Sequence, residues 1–164
     1  MIKVLVSSCL LGERVRYHGG DAACASSILA RWEAEGRLVP FCPEVAGGLP
    51  VPRPAAESVG GDGRAVLEGS AVVLDSTGKD VTQHFVAGAR GALETAMRNG
   101  VKAAVLKEGS PSCGSGSVYD GSFSGVRKRG QGVTAALLSQ AGIRVFSEQD
   151  IEAAEAYVAS LEKA

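Results

Sequence analysis

At 164 residues the chain can bury a core of its own, so neither a disulfide framework nor a structural metal is needed merely to hold it folded. A formal net charge of −1, with acidic and basic residues interspersed, gives no sign of a nucleic-acid stripe or a membrane-surface patch, while leaving an RNA partner open. The opening Met1-Ile2-Lys3-Val4-Leu5-Val6 is too short for a signal peptide and no apolar run reaches about 18 residues, which predicts a cytosolic protein whose four cysteines are thiols, metal ligands or catalytic groups rather than disulfides.

The first predicted strand runs from Ile2 to Ser7 and ends on Ser8-Cys9. After a polar stretch, Ser26-Ser27 opens a helix with Ile28, Leu29 and Trp32 at helical spacing, and Gly36 closes it. A second strand, residues 38–41, runs into Cys42-Pro43-Glu44, which completes a β-α-β unit with a right-handed crossover. Residues 45–63 carry Pro50, Pro52, Pro54 and five glycines, and read as a long functional loop without a core pattern. Residues 65–67 and 71–74 read as a small hairpin or a pair of edge strands.

Asp80 or Thr82 is expected to cap a helix reaching Arg98, with Phe85, Ala89, Leu93 and Met97 on its inner face. Residues 103–106 form a short run of small apolar residues that fits a buried parallel strand. It stops abruptly at Lys107-Glu108-Gly109-Ser110-Pro111-Ser112-Cys113-Gly114. The carboxyl edge of such a sheet is where ligands bind. A glycine-rich excursion follows, with the basic trio Arg127-Lys128-Arg129, then a helix over 133–140 and a strand over 143–146. Ser147 caps a last helix reaching Leu161. Strands alternating with helices predict a single α/β domain over residues 1–164, a three-layer Rossmann-like arrangement with a mostly parallel sheet.

Cys9, Cys42 and Cys113 each follow a predicted strand, and neighbouring parallel strands lie about 4.8 Å apart. Their thiols are placed to converge. Soft thiolates suit zinc or an iron–sulfur cluster, and three protein ligands with an open fourth place is the arrangement of a catalytic metal. The rival reading is three separate small buried hydrophobes, and no CxxC pair argues against it.

Val6-Ser7-Ser8-Cys9-Leu10-Leu11-Gly12, Val15-Arg16-Tyr17, Phe41 through Leu49, Pro52-Arg53, Asp80-Val81-Thr82 and Leu106 through Gly116, with Tyr119-Asp120-Gly121, resemble the thiouracil desulfidase family in the same order. The resemblance covers nearly the whole chain. It implies a [4Fe-4S] cluster held by Cys9, Cys42 and Cys113 with the fourth iron open. It also implies non-redox removal of sulfur from a thiolated uracil, with catalytic roles for Glu44 and Ser110. The expected partner is a small thiolated pyrimidine, free or as its nucleoside or nucleotide. Thiolated tRNA and a non-catalytic iron–sulfur or zinc module are the alternatives.

Each assignment has a plainer rival. Glu44 pairs with Arg53 or loop amides; Ser110 caps the loop around Pro111, with Ser112 the second candidate there. Gly47, Gly48, Gly114 and Gly116 are expected to permit positive backbone angles and close approach to the cluster. Lys107 either offsets cluster charge or ends a solvated strand. The basic trio is a solvated turn or a phosphate grip. Cys24 is read as an ordinary thiol rather than a fourth ligand, and His84 as a surface or packed helix residue. His18 stands where the family commonly has aspartate.

Overall fold

The computed structural model describes residues 1–164. Its centre is a four-stranded parallel sheet in the order β2-β1-β5-β8, built from Val4–Ser7 (β1), Leu38–Phe41 (β2), Ala103–Leu106 (β5) and Arg144–Ser147 (β8). Side chains alternate across it. Val4, Val6, Ala103 and Val105 pack on one side with Leu29 and Trp32 of α1 (Ser27–Ala34) and Ala154 and Val158 of α6 (Ile151–Lys163). Leu5, Ala104 and Leu106 pack on the other with Ala92 and Ala96 of α4 (Thr82–Arg98) and Ala135 and Leu138 of α5 (Val133–Gln140). The three-layer α/β fold follows. Pro40 is tolerated because β2 lies at the sheet edge. No helix is long and apolar enough to cross a membrane.

Several readings of the sequence need correction. Residues 65–67 are not a strand but part of α3 (Gly63–Glu68), whose amino end is capped by Asp62 Oδ1 accepting from Ala65 N at 3.3 Å and which stops at the left-handed Gly69. The antiparallel partner of β4 (Val72–Asp75) is instead β3 (Ala56–Val59), inside the stretch that reads as featureless loop. That stretch also holds the end of α2 (Pro43–Ala46). Met97 is 71% exposed rather than inward, while Ala92 and Ala96 take the inner face. A four-residue spacing overshoots a 3.6-residue turn by roughly 40° each time, so by the third repeat from Phe85 the stripe has left the core. Neither Asp80 nor Thr82 is the cap: Val81 holds that place without a side-chain bond, while Asp80 Oδ1 accepts from Thr82 N at 2.9 Å.

The helix α4 meets α2 at unusually short range. A Cβ on Gly88 would stand 1.9 Å from the Pro43 carbonyl oxygen, and one on Gly47 would stand 2.0 Å from the His84 carbonyl oxygen. Only glycine at both places lets the two backbones touch. This contact fixes α2, and with it the segment carrying Cys42 and Glu44, against the layer beside the sheet.

Candidate active site

All four parallel strands deliver a functional segment at their carboxyl ends. β1 turns directly into a 3-10 segment over Ser8–Leu11, which buries Cys9 and ends at the left-handed Gly12. The Cys9 carbonyl accepts from Gly12 N at 3.2 Å and Ala22 N at 2.9 Å, so the thiol's backbone is tied to the loop that follows. β2 runs out into Cys42, the residue before α2. β5 runs out into Lys107, whose amide donates to Ser7 Oγ at 3.0 Å across the sheet, and β8 brings Glu148 beside it.

Cys9, Cys42 and Cys113 line one cavity of about 460 Å³, together with Glu44, Ser110 and Ser112. All four cysteines are free, and Cys24 does not line this space: it packs beside the core around Trp32. Burial pushes the Cys9 thiol up to about 11, opposed chiefly by the Arg16 guanidinium and reinforced by Cys42. Burial pushes Cys113 up to about 12, with the neighbouring Ser7 and Ser112 hydroxyls opposing the rise and Cys9 adding to it. Cys42 is raised by burial too, with the Val45 amide the main opposing influence. Cys42 thus acts on Cys9, and Cys9 on Cys113.

No three His, Cys, Asp or Glu side chains close to the spacing of one metal ion's donors. Three soft thiol donors lining one cavity fit an iron–sulfur cluster by their chemistry. Lys107 and Arg16 supply positive charge toward Cys9. Lys107 is no solvated strand end: its Nζ lies 3.1 Å from Glu148 Oε2 and donates to the Glu108 carbonyl at 3.2 Å.

Glu44 is held from both sides. Arg53 Nε donates to Oε1 at 3.0 Å, while Ser112 Oγ donates to Oε2 at 2.8 Å and Ser110 Oγ lies 3.4 Å from the same oxygen. The plainer reading of Glu44, a pair with Arg53, is thus true as geometry, and it leaves Oε2 facing the serines. Arg53 is itself anchored through the Val15 carbonyl at 2.9 Å and the Pro50 carbonyl at 3.1 Å.

The family assignment rests on more than motifs. The 2-thiouracil desulfurase family model matches residues 4–150. The chain belongs to that family. An uncharacterized protein of Bacillus subtilis (strain 168), YbbK, is 47% identical over 148 residues, spanning 90% of this chain and 97% of its own. Among solved structures, the [4Fe-4S]-dependent thiouracil desulfidase TudS is 48% identical with a TM-score of 0.86, covering 96% of this chain and 99% of its own.

Several details depart from the sequence reading. Of Gly47, Gly48, Gly114 and Gly116, only Gly48 has positive φ, and the close approaches at Gly47 and Gly114 are to protein carbonyls, not toward the cavity. The basic trio is β7 (Arg127–Arg129), paired antiparallel with β6 (Ser117–Tyr119); Arg127 alone lines the cavity, stacked 5.2 Å from the Tyr119 ring centre. His84 is packed, its Nδ1 at 2.8 Å from the Gly47 carbonyl oxygen.

Two acidic residues were not legible as part of the site. Glu108 folds the Ser110–Cys113 loop by accepting from Ser115 N at 2.7 Å and Gly109 N at 3.2 Å. Glu57 reaches across from β3 to the Gly121 and Phe123 amides, at 2.9 and 3.1 Å, and holds Phe123 in a left-handed conformation at the cavity wall. Glu108 sits near enough to the loop for its role to be guessed; Glu57 lies in a stretch with no local signal at all.

Proposed function

We propose that the chain is a [4Fe-4S]-dependent desulfidase that converts a thiolated uracil to uracil, consuming water and releasing hydrogen sulfide without change of oxidation state. The observation that carries this reading is that three strand-end thiols line one cavity with a carboxylate and a serine in hydrogen-bond contact. Cys9, Cys42 and Cys113 would hold three of the four irons. When bound, the cluster supplies an open, soft Lewis-acid position for a thiocarbonyl sulfur.

The protein side of the reaction is read as follows. Glu44 takes a proton from the attacking water, and the Ser110–Ser112 hydroxyl pair holds the Glu44 Oε2 in place for that transfer. Arg53 keeps the carboxylate in place from behind. The wall formed by Tyr17, Tyr119 and Phe123 gives a flat pyrimidine apolar surface to lie against. The cavity of about 460 Å³ must take both the cluster and the substrate ring, which favours a small thiolated pyrimidine, free or as its nucleoside or nucleotide, over tRNA. A reducing cytoplasm keeps the thiols available for iron.

The test is anaerobic purification followed by incubation with 2-thiouracil and no reductant. The reading expects a brown protein with about four irons per chain that yields uracil and sulfide in equal amounts. A colourless protein, or one active only on thiolated tRNA, contradicts it.

A further inference from the structure

In the loop from Ser110 to Cys113, the direction of the hydroxyl bonds decides what each serine does. Ser112 is only 1% exposed, yet its Oγ has three polar neighbours: Glu44 Oε2 at 2.8 Å, Ser110 Oγ at 2.9 Å and Cys113 Sγ at 3.5 Å. A hydroxyl carries one proton and two lone pairs, which lets the direction of each bond be worked out.

Ser110 Oγ accepts from two backbone amides, Ser112 N and Cys113 N, both at 3.2 Å. Those two donors engage both of its lone pairs. The 2.9 Å contact with Ser112 is therefore one in which Ser110 donates, since a third donor has no lone pair to meet. Ser112, having accepted the Ser110 proton, gives its own to the nearest acceptor, the Glu44 carboxylate at 2.8 Å rather than the sulfur at 3.5 Å. The direct Ser110 to Glu44 distance of 3.4 Å is too long to compete for the same proton.

We infer that Ser112 is a positioning residue for the desulfidase reaction: it fixes the direction of the Ser110 hydroxyl and pins the free oxygen of Glu44, so that both have one arrangement. The inference rests on the desulfidase reading. Charge-assisted bonds to a carboxylate are among the stronger ones, and this one is buried, so the arrangement is stiff. Arg53 holds one carboxylate oxygen and Ser112 the other, which leaves Glu44 little freedom to rotate. Truncating Ser112 to alanine removes the link, and the Ser110 proton can then turn to Glu44 or to the cavity.

The experiment compares wild type, S112A, S110A and the double variant as holoproteins with 2-thiouracil. Iron content and the cluster absorption spectrum of S112A are expected to match wild type, with KM within about twofold and kcat lowered about 10²-fold, the scale of a small misplacement of a reacting group. The double variant is expected to be no slower than S110A, because residues acting as one unit do not add. Wild-type kcat in S112A, multiplicative losses in the double variant, or loss of iron on S112A alone overturns the inference. A second readout needs no turnover: the infrared difference spectrum of apo-S112A against apo-wild type should displace a carboxylate band that E44Q abolishes. An undisplaced band overturns the Ser112 assignment, whereas a wild-type holoprotein that releases no sulfide overturns the desulfidase reading instead.

Discussion

Pro43 and Gly88 touch through their backbones: a side chain begun at Gly88 would place its Cβ 1.9 Å from the Pro43 carbonyl oxygen. Pro43 lies between Cys42 and Glu44, so this contact sets where the proposed cluster ligand and the proposed base stand. Gly88→Ala gains about 1 kcal/mol of helix propensity and loses more to a backbone clash that no rotamer relieves. It should lower stability by about 2 kcal/mol and reduce iron content, as read by urea unfolding and iron assay. Gly91→Ala, whose Cβ would meet only the tip of the Phe41 ring at 3.3 Å, is the control and should be near neutral.

Arg53 serves three loops at once from a side chain that is only 5% exposed. Arg53→Met leaves Glu44 largely buried without its cation, and removal of one partner from such a pair costs about 3 kcal/mol or more. Arg53→Lys keeps the charge but not the fork that meets Glu44, Val15 and Pro50 together. We expect Met to lose both stability and kcat, and Lys to retain more of the former than of the latter, measured by denaturant unfolding and sulfide release.

The buried thiols make the apo-protein sensitive to alkali. Cys9 and Cys113 are raised from 9.0 to about 11 and about 12, so the unfolded chain gives up these protons first. Above pH 9 the native state binds more protons than the unfolded one and stability falls as pH rises, with a limiting slope of about 1.4 kcal/mol per pH unit for each thiol. The contribution is complete below pH 9 and is lost through the folded values. Urea unfolding of apo-protein across this range should show the fall, flattened in Cys113→Ala. Because ligands bind as thiolates, cluster loading should release protons at neutral pH, measurable in weakly buffered solution.

The parts of this molecule legible in its sequence are those where local pattern and tertiary role coincide. The runs ending at Cys9, Cys42 and Lys107 are short, apolar and abruptly stopped, so both the parallel sheet and its functional edge can be read from them. The hairpin of β3 and β4 cannot, because Ala56-Glu57-Ser58-Val59 is half polar and the partners of Glu57, the Gly121 and Phe123 amides, lie more than 60 residues away. Residues 65–67 mislead for the opposite reason: Ala65-Val66-Leu67 is apolar enough for a strand, and only Asp62 and Gly69, as cap and stop, reveal the helix. In the site, spacing suggests that Cys9, Cys42 and Cys113 converge, but the hydrogen-bond pattern among Glu44, Ser110 and Ser112 depends on distances of a few tenths of an ångström that residue types do not encode.

Three cysteines from distant parts of the chain are proposed to share one iron–sulfur cluster, with the fourth cysteine having no part in it. Iron content of anaerobically reconstituted Cys→Ala variants at each of the four positions measures this directly. C9A, C42A and C113A should each lose the cluster and with it sulfide release, while C24A keeps about four irons and full turnover. Retention of a complete cluster in any of the first three, or its loss in C24A, would contradict the account.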